Sequence, residues 1–280
     1  IRGRYAFLNA RQVNSARLQP VSMELSTPVA AGGLAALAAC GAYACVRSGS
    51  GGADGSVLAG AKLLYFGIPG RGEPVRLALA LSGQTWSEDV IEFSKWGELK
   101  PTIAFGGLPA IRLADGSEMG QTRAIMRFVG RCAGLYPLDA VEACKVDQVM
   151  DAVDDLTSGT NKVGQGLEQP EKEAKRAEAA AEGGSIARSW DQIEAFIAAN
   201  GSDGYCVGSS LTVADIFVAT MPPFTVTGFF DGIPKSLCER YPKMQAVRKT
   251  VYSLPAVQGY YASLEKVNDY QKFLMDVSKC

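Results

Sequence analysis

Histidine does not occur in this 280-residue chain, which removes imidazole from every role it usually fills: metal ligand, proton shuttle, and partner of a Ser or Cys nucleophile. Any chemistry must therefore rest on Tyr, Cys, Ser or carboxylates. Tyr65 has the most suggestive setting. It lies in the run Lys62-Leu-Leu-Tyr-Phe66, which passes through the Gly/Pro loop Gly67-Ile-Pro-Gly-Arg-Gly72 and enters Glu73-Pro-Val-Arg76. A hydroxyl at the end of an apolar run, beside a loop of small residues, is placed where the rest of the chain can build a pocket. The seven cysteines (40, 45, 132, 144, 206, 238, 280) are odd in number and lack paired CxxC spacing, so they are expected to be reduced and mostly in the core rather than on zinc. Thr212-Val-Ala-Asp215 has the spacing of a capping box, a structural motif with no catalytic weight.

The totals narrow the class. Apolar residues make up 47% and charged residues 20%, enough to bury a core and unlike a disordered chain. The net charge of −1 gives no electrostatic argument for nucleic acid, and no nucleic-acid partner is expected.

Residues 1–60 differ in composition from the rest of the chain. Four arginines and no acid occur before Met23, a composition like an organelle-targeting presequence, and 1–27 is expected to be a basic leader. Pro28 to Val46 carries no charge and is about as long as a minimal membrane span, so 28–46 is a candidate transmembrane helix. Its alanines and glycines make it weakly hydrophobic but let partner helices approach closely. A removable signal-like segment, with Ala42-Tyr43-Ala44 as cleavage site, and a buried or disordered leader are the other readings. Residues 47–60, rich in Gly and Ser, read as a flexible linker.

Tyr65 can be held in place only by the secondary structure around it. The pattern predicts a short buried strand over 62–66, a helix over 73–81 with Pro74 in its first turn, and a second strand over 86–93. Two strands over 107–113 and 117–120 are joined by Asp115-Gly116, a strong hairpin signal. Gln121 opens the next helix. The order β-α-β, an irregular stretch, then β-β-α makes 61–136 an α+β unit. From 137 to 280 the pattern is helical: 139–157 through Val146, Val149, Met150 and Val153, an exposed helix or loop over 168–182, and an amphipathic helix over 186–199. Tyr241-Pro242 and Leu254-Pro255 punctuate the last helices.

An α+β unit followed by an all-helical one, with a Tyr near the end of the first strand, resembles the soluble glutathione transferases that use Tyr, of the alpha, mu, pi and sigma kind. The resemblance runs from about Lys62 to Ser263. It is carried by Tyr65-Phe66 with Gly70-Arg71-Gly72-Glu73 and Arg76, by Trp96 and Lys100 ahead of Leu108-Pro109, and by Gln121-Thr122-Arg123-Ala124-Ile125. It implies a thioredoxin-like N-terminal domain, an all-helical C-terminal domain, and glutathione as co-substrate. A thiol is mostly protonated at neutral pH, whereas its thiolate is the nucleophile. By resemblance Tyr65 donates a hydrogen bond to that sulfur and lowers its pKa. Arg71 would lie near the sulfur or a glutathione carboxylate. Leu108, before a cis Pro109, would pair its backbone with the cysteinyl part. Gln121 and Thr122 would hold the γ-glutamyl end, Thr122 at a helix N-terminus. Trp96 and Lys100 match positions that bind the glycyl carboxylate. Asp155 matches an acid that reaches the neighbouring subunit's glutathione in homodimers. The hydrophobic electrophile would sit among Ile68, Pro69, the stretch 159–166 and the C-terminal aromatics.

Two functions are compatible with these residues. One is an enzyme: glutathione bound and ionised by Tyr65, its thiolate attacking a small hydrophobic electrophile, as in detoxification. The other is a non-enzymatic accessory subunit, tethered by 28–46 and recruited to a membrane-protein complex of an organelle, such as a photosystem or respiratory assembly. The leader points to a plastid thylakoid or mitochondrial membrane; its removal would leave a soluble protein.

Overall fold

The computed structural model describes residues 54–279. The expected leader over 1–27 and span over 28–46 lie outside the described residues, as does most of the expected linker. Among the described residues no helix is long and apolar enough to cross a membrane. The linker expectation is corrected at its end. Asp54 caps a short 3-10 turn over Gly55–Leu58 through a bond from the Ser56 N–H. Leu58 is fully buried, and the Gly60 N–H donates to the Thr85 carbonyl over 2.8 Å. Ordered packing therefore begins before Gly60, because one apolar side chain in this polar stretch reaches the core.

Strand β1 (Ala61–Phe66) is the centre of a four-stranded mixed sheet of order β2-β1-β3-β4. It pairs in parallel with β2 (Trp86–Ile91) and antiparallel with β3 (Ala110–Arg112), which pairs antiparallel with β4 (Glu118–Gly120). Helix α1 (Glu73–Leu81) supplies the crossover that a parallel β1–β2 pair requires. Strand alternation divides β1 between two cores. Leu63 and Tyr65 belong to the large core with Val75 and Leu79 of α1 and Ile125 and Met126 of α3 (Thr122–Cys132). Leu64 faces the other side, a small cluster with Ile103 and Ala110 against which Trp96 and Leu108 pack. Trp96 opens the one-turn helix α2 (Trp96–Leu99), in a stretch whose pattern predicts no element.

The remainder is helical: α4 (Ala140–Lys162), α5 (Gln169–Ala180), α6 (Ser185–Asn200), α7 (Val213–Thr225), α8 (Pro242–Ser253), α9 (Pro255–Ser263) and α10 (Asp269–Met275). Every residue of α7 is buried, and α1, α4 and α8 pack on it. The Thr212–Asp215 motif starts it as expected: Asp215 accepts from the Thr212 N–H over 2.6 Å, and burial pushes its carboxyl pKa up. Pro222 and Pro223 fall near the end of α7, where few further helical bonds are lost, and deliver Phe224 to its last turn. Helix α4 continues past the expected end at Thr157 to Lys162, which bears on the site. Of the cysteines, Cys132, Cys144 and Cys206 are free thiols, Cys206 alone of these being buried; Cys238 is disulfide-bonded, contrary to the expectation of reduced thiols throughout.

Candidate active site

Tyr65 is 6% exposed at the end of β1, and two glycines make room for it. A Cβ on Gly72 would stand 2.3 Å from its ring, and one on Gly70 2.7 Å from its hydroxyl. Gly70 also has a φ of +42, a region that favours glycine. The turn they form points the Arg71 N–H at the Tyr65 hydroxyl, a bond of 2.9 Å in which the phenol oxygen accepts. Its own proton makes no bond to any other described residue. Burial raises the Tyr65 pKa above its ordinary value, while the Arg71 N–H and the charges of Arg76 and Arg71 pull it partly back. The phenol is thus protonated at neutral pH and available as a donor.

Arg76 fixes the loop from beneath. It is 3% exposed and lies 5.5 Å from the centre of the Tyr65 ring. It donates to the carbonyls of Phe66 at 2.9 Å and Ile68 at 2.8 Å, and to the carboxylates of Glu73 at 2.9 Å and Glu88 at 3.0 Å. Glu73, fully buried, also accepts from the Tyr261 hydroxyl of α9 and from Gln271 of α10 at 3.4 Å. One buried cation thus holds the backbone on both sides of Gly67, and its partner acid ties that loop to the last helices. Two carboxylates against one guanidinium, each with further donors, satisfy what burial demands of charged groups.

Three recesses surround this core. The first, about 310 Å³, is lined by Arg71, Gln121, Thr122, Arg123 and Asp154. Gln121 precedes α3 with a φ of +71, and Thr122 begins the helix at 6% exposure, so the free N–H groups of the first turn are close at hand. Asp154 forms an ion pair with Arg71 and lies 3.8 Å from Arg123; Ser158 accepts from Arg71 at 3.0 Å. The second recess, about 350 Å³, contains Tyr65, Ile68 and Arg71 on one side, Ser158, Asn161, Lys162 and Gln165 on another, and Met221, Phe224, Phe229 and Phe230 on a third. Arg71 lines both. The third, about 350 Å³, lies on the opposite face of the sheet, with Leu64, Trp96, Leu108 and Arg112.

The structure brings Tyr65, Arg71, Gln121 and Thr122 to adjoining recesses. The Leu108–Pro109 peptide is cis, and both residues lie beside β3. Trp96 packs edge-on against Phe66 at 5.8 Å and lines the third recess instead. Lys100 is exposed and takes part in no ion pair among the described residues. Asp155 is exposed and outside all three recesses, while its neighbour Asp154 occupies the cleft. Asp154, Ser158, Glu73 and the clamping role of Arg76 escape the sequence reading. The first two could have been found from helix phase: Val153 and Leu156 are apolar and buried, so Asp151, Asp154 and Ser158, spaced i, i+3, i+7, share a different face. Of the residues expected around an electrophile, Ile68, Asn161, Lys162 and Gln165 line the second recess and Pro69 does not; its aromatics come from the end of α7 and the turn beyond it rather than from the C-terminus.

The chain matches known proteins over the same region. The family model "Glutathione S-transferase, C-terminal domain" matches residues 159–264. The chain is 30% identical over 207 residues to "Glutathione S-transferase 2" of Manduca sexta, covering 72% of this chain and 95% of that protein. It is 28% identical over 210 residues to "Glutathione S-transferase P" of Bos taurus, covering 74% and 93%. Among solved structures, the glutathione S-transferase from Ascaris lumbricoides superposes with a TM-score of 0.61 at 26% identity, over 74% of this chain and 98% of that one. Prostaglandin synthase D of Nilaparvata lugens shares the fold with a TM-score of 0.66 at 24% identity, over 75% and 100%. The mixed sheet with its helices, the helical remainder and these relatives agree: the chain belongs to the glutathione S-transferase family.

Proposed function

We propose that this chain binds glutathione as co-substrate and activates its thiol through Tyr65 for attack on a small hydrophobic electrophile. The observation that carries the reading is that Arg71 lines two recesses of opposite character, with the Tyr65 hydroxyl beside it and its proton uncommitted. A tripeptide whose γ-glutamyl end lay by Gln121, Thr122 and Asp154 would bring its sulfur toward Tyr65 and the aromatic recess. A neutral phenol donating to a thiolate stabilises the anion over the thiol and lowers the thiol pKa. Lys100 takes the glycyl carboxylate in this proposal and the Leu108 backbone beside Pro109 the cysteinyl part, while Trp96, on the opposite face of the sheet from Tyr65, has no part in it. The unit over 61–136 supplies the glutathione half and that over 137–280 the electrophile wall. Two copies pair as a homodimer in which exposed Asp155 faces the neighbour's ligand.

The test is retention on immobilised glutathione, together with conjugation of a general aromatic electrophile, for the wild type and Tyr65→Phe. The wild type should bind and turn over. The phenylalanine variant should still bind but lose about 10- to 100-fold in kcat/KM, the size expected of a hydrogen bond to a charged group. A wild type that neither binds glutathione nor turns over would overturn the reading, and an unimpaired Tyr65→Phe would remove Tyr65 from it.

A further inference from the structure

Cys238 is disulfide-bonded and lies, 2% exposed, in the 3-10 turn Lys235–Arg240 ahead of α8. The described cysteines 132, 144 and 206 are free thiols, which leaves Cys40, Cys45 and Cys280 as partners within this sequence. The Lys279 carbonyl oxygen stands 3.9 Å from the Cys238 sulfur. Bridged cysteines have Cα atoms about 4.4–6.8 Å apart, a span within reach of the residue joined to that carbonyl. The segment so fastened is α10, which runs from the Tyr65 loop at one end to Cys238 at the other. Asn268 donates to the Gly67 carbonyl at 3.4 Å, and Gln271 to Glu73 at 3.4 Å. Tyr270 packs on Phe229 of the second recess at 5.7 Å. Buried Arg248 of α8 donates to the carbonyls of Leu274 at 3.0 Å and Asp276 at 3.1 Å. A helix of 7 residues does not hold its shape alone in water, so its order depends on these contacts and on any bond that shortens the free chain beyond them.

We propose that Cys238 and Cys280 form a disulfide that latches α10 behind the aromatic wall of the second recess, and that a small thiol such as glutathione releases it. Burial shields the Cys238 sulfur, so the incoming thiolate attacks the sulfur of Cys280, which follows exposed Ser278 and Lys279. A mixed disulfide forms at Cys280; the electron pair of the broken sulfur–sulfur bond leaves on Cys238, which takes a proton from water. A second thiolate attacks the outer sulfur of the mixed disulfide, frees Cys280 as a thiol and completes a small-molecule disulfide. Two electrons pass from two small thiols to the protein bond, and no other reactant is needed. The crosslink encloses α8, α9 and α10. Of these α10 is the shortest, and it opens without unfolding α7, because opening a local unit costs less than opening the whole core. Neither the bond nor its reduction depends on the transferase reading.

The experiment uses the full chain purified without reductant. Free thiols are alkylated and the digest is mapped by mass spectrometry, before and after incubation with glutathione. Before it, the peptide holding Cys238 should be joined to the one holding Cys280; after it, both cysteines should carry the alkyl group. Amide hydrogen exchange is then followed in the oxidised chain, the reduced chain and Cys280→Ser, which keeps the buried Cys238 in place. Exchange over α10 should rise by about 10-fold or more on reduction and by a similar factor in Cys280→Ser, where glutathione should add nothing further. Exchange over α7 should stay as it was. The proposal is overturned if Cys238 is joined to Cys40 or Cys45, if it is alkylated before reduction, or if glutathione leaves the bond intact. It is equally overturned if exchange over α10 is indifferent to both reduction and Cys280→Ser, or if the rise is as large over α7, which would make the bond a brace of the whole helical unit and not a latch on α10.

Discussion

At Tyr65, protonation and space decide together what the residue can do. Its raised pKa keeps the hydroxyl proton in place well past neutrality, so the acidic limb of a conjugation pH profile should report the glutathione thiol and not the phenol. Replacing Tyr65 with Phe should displace that limb toward the pKa of free thiol, near 8.5, which a spectroscopic titration of the bound thiolate measures directly. Space is the tighter constraint. With a Cβ on Gly72 only 2.3 Å from the ring, Gly72→Ala must push Tyr65 off its position. The expected cost is about 1–3 kcal/mol of stability, as for overpacking elsewhere, together with a fall in kcat/KM. A urea titration showing wild-type stability alongside full activity would contradict the geometry. Tyr65, Arg71, Gln121 and Thr122 were legible in the sequence because they sit at element ends in a characteristic order. Asp154 was not, since choosing between adjacent acids requires the phase of α4, and Arg71 meets it from 83 residues away in the chain.

Elements are joined here by charge as much as by apolar packing. Strand β1 and helix α1 could be read from local pattern, as could the Thr212 cap of α7, because each depends on residues a few positions apart. The clamp built on Arg76 could not, because Glu73 meets Tyr261 across 188 residues and Gln271 across 198. The same holds for α5, where the run of charges and alanines predicts exposure. Arg176 is in fact buried, donating to the Val163 carbonyl at 3.3 Å and lying 5.3 Å from the centre of the Phe230 ring. Arg76→Met tests the clamp. It keeps the bulk but strands the buried Glu73 carboxylate and frees the Phe66 and Ile68 carbonyls, so a loss of about 3–5 kcal/mol is expected in chemical denaturation. The double variant Arg76→Met with Glu73→Leu should recover part of that loss, because it removes the uncompensated charge along with its partner. No recovery would mean that the loop carbonyls, rather than the charge, dominate the cost.

For the whole molecule, buried phenols set an alkaline limit on stability. Burial, with a hydrogen bond to Asp191, pushes the Tyr241 pKa up to about 12, and burial likewise raises Tyr65, Tyr252, Tyr260 and Tyr261. Unfolded tyrosines ionise near pH 10, so above that pH the folded chain holds protons that the unfolded chain has lost. Stability is therefore complete below about pH 10 and falls as the pH rises toward about 12, and urea midpoints across that interval should decline. Association is the remaining property of this scale. Phe105 is 83% exposed and has a φ of +59, a left-handed conformation that costs a bulky residue on the order of 1–3 kcal/mol. An isolated monomer gains nothing from holding an aromatic ring out into water in a strained backbone, whereas a subunit that inserts the ring into a neighbour recovers the cost through burial. Sedimentation should accordingly show a dimer for the wild type. Phe105→Glu should shift it to monomer at micromolar concentration, because the contact would then have to bury a carboxylate. Phe105→Gly should weaken the dimer while relieving the local strain, leaving the monomer's own unfolding free energy equal or higher. A wild-type monomer, or a dimer indifferent to Phe105→Glu, would refute this role for the residue.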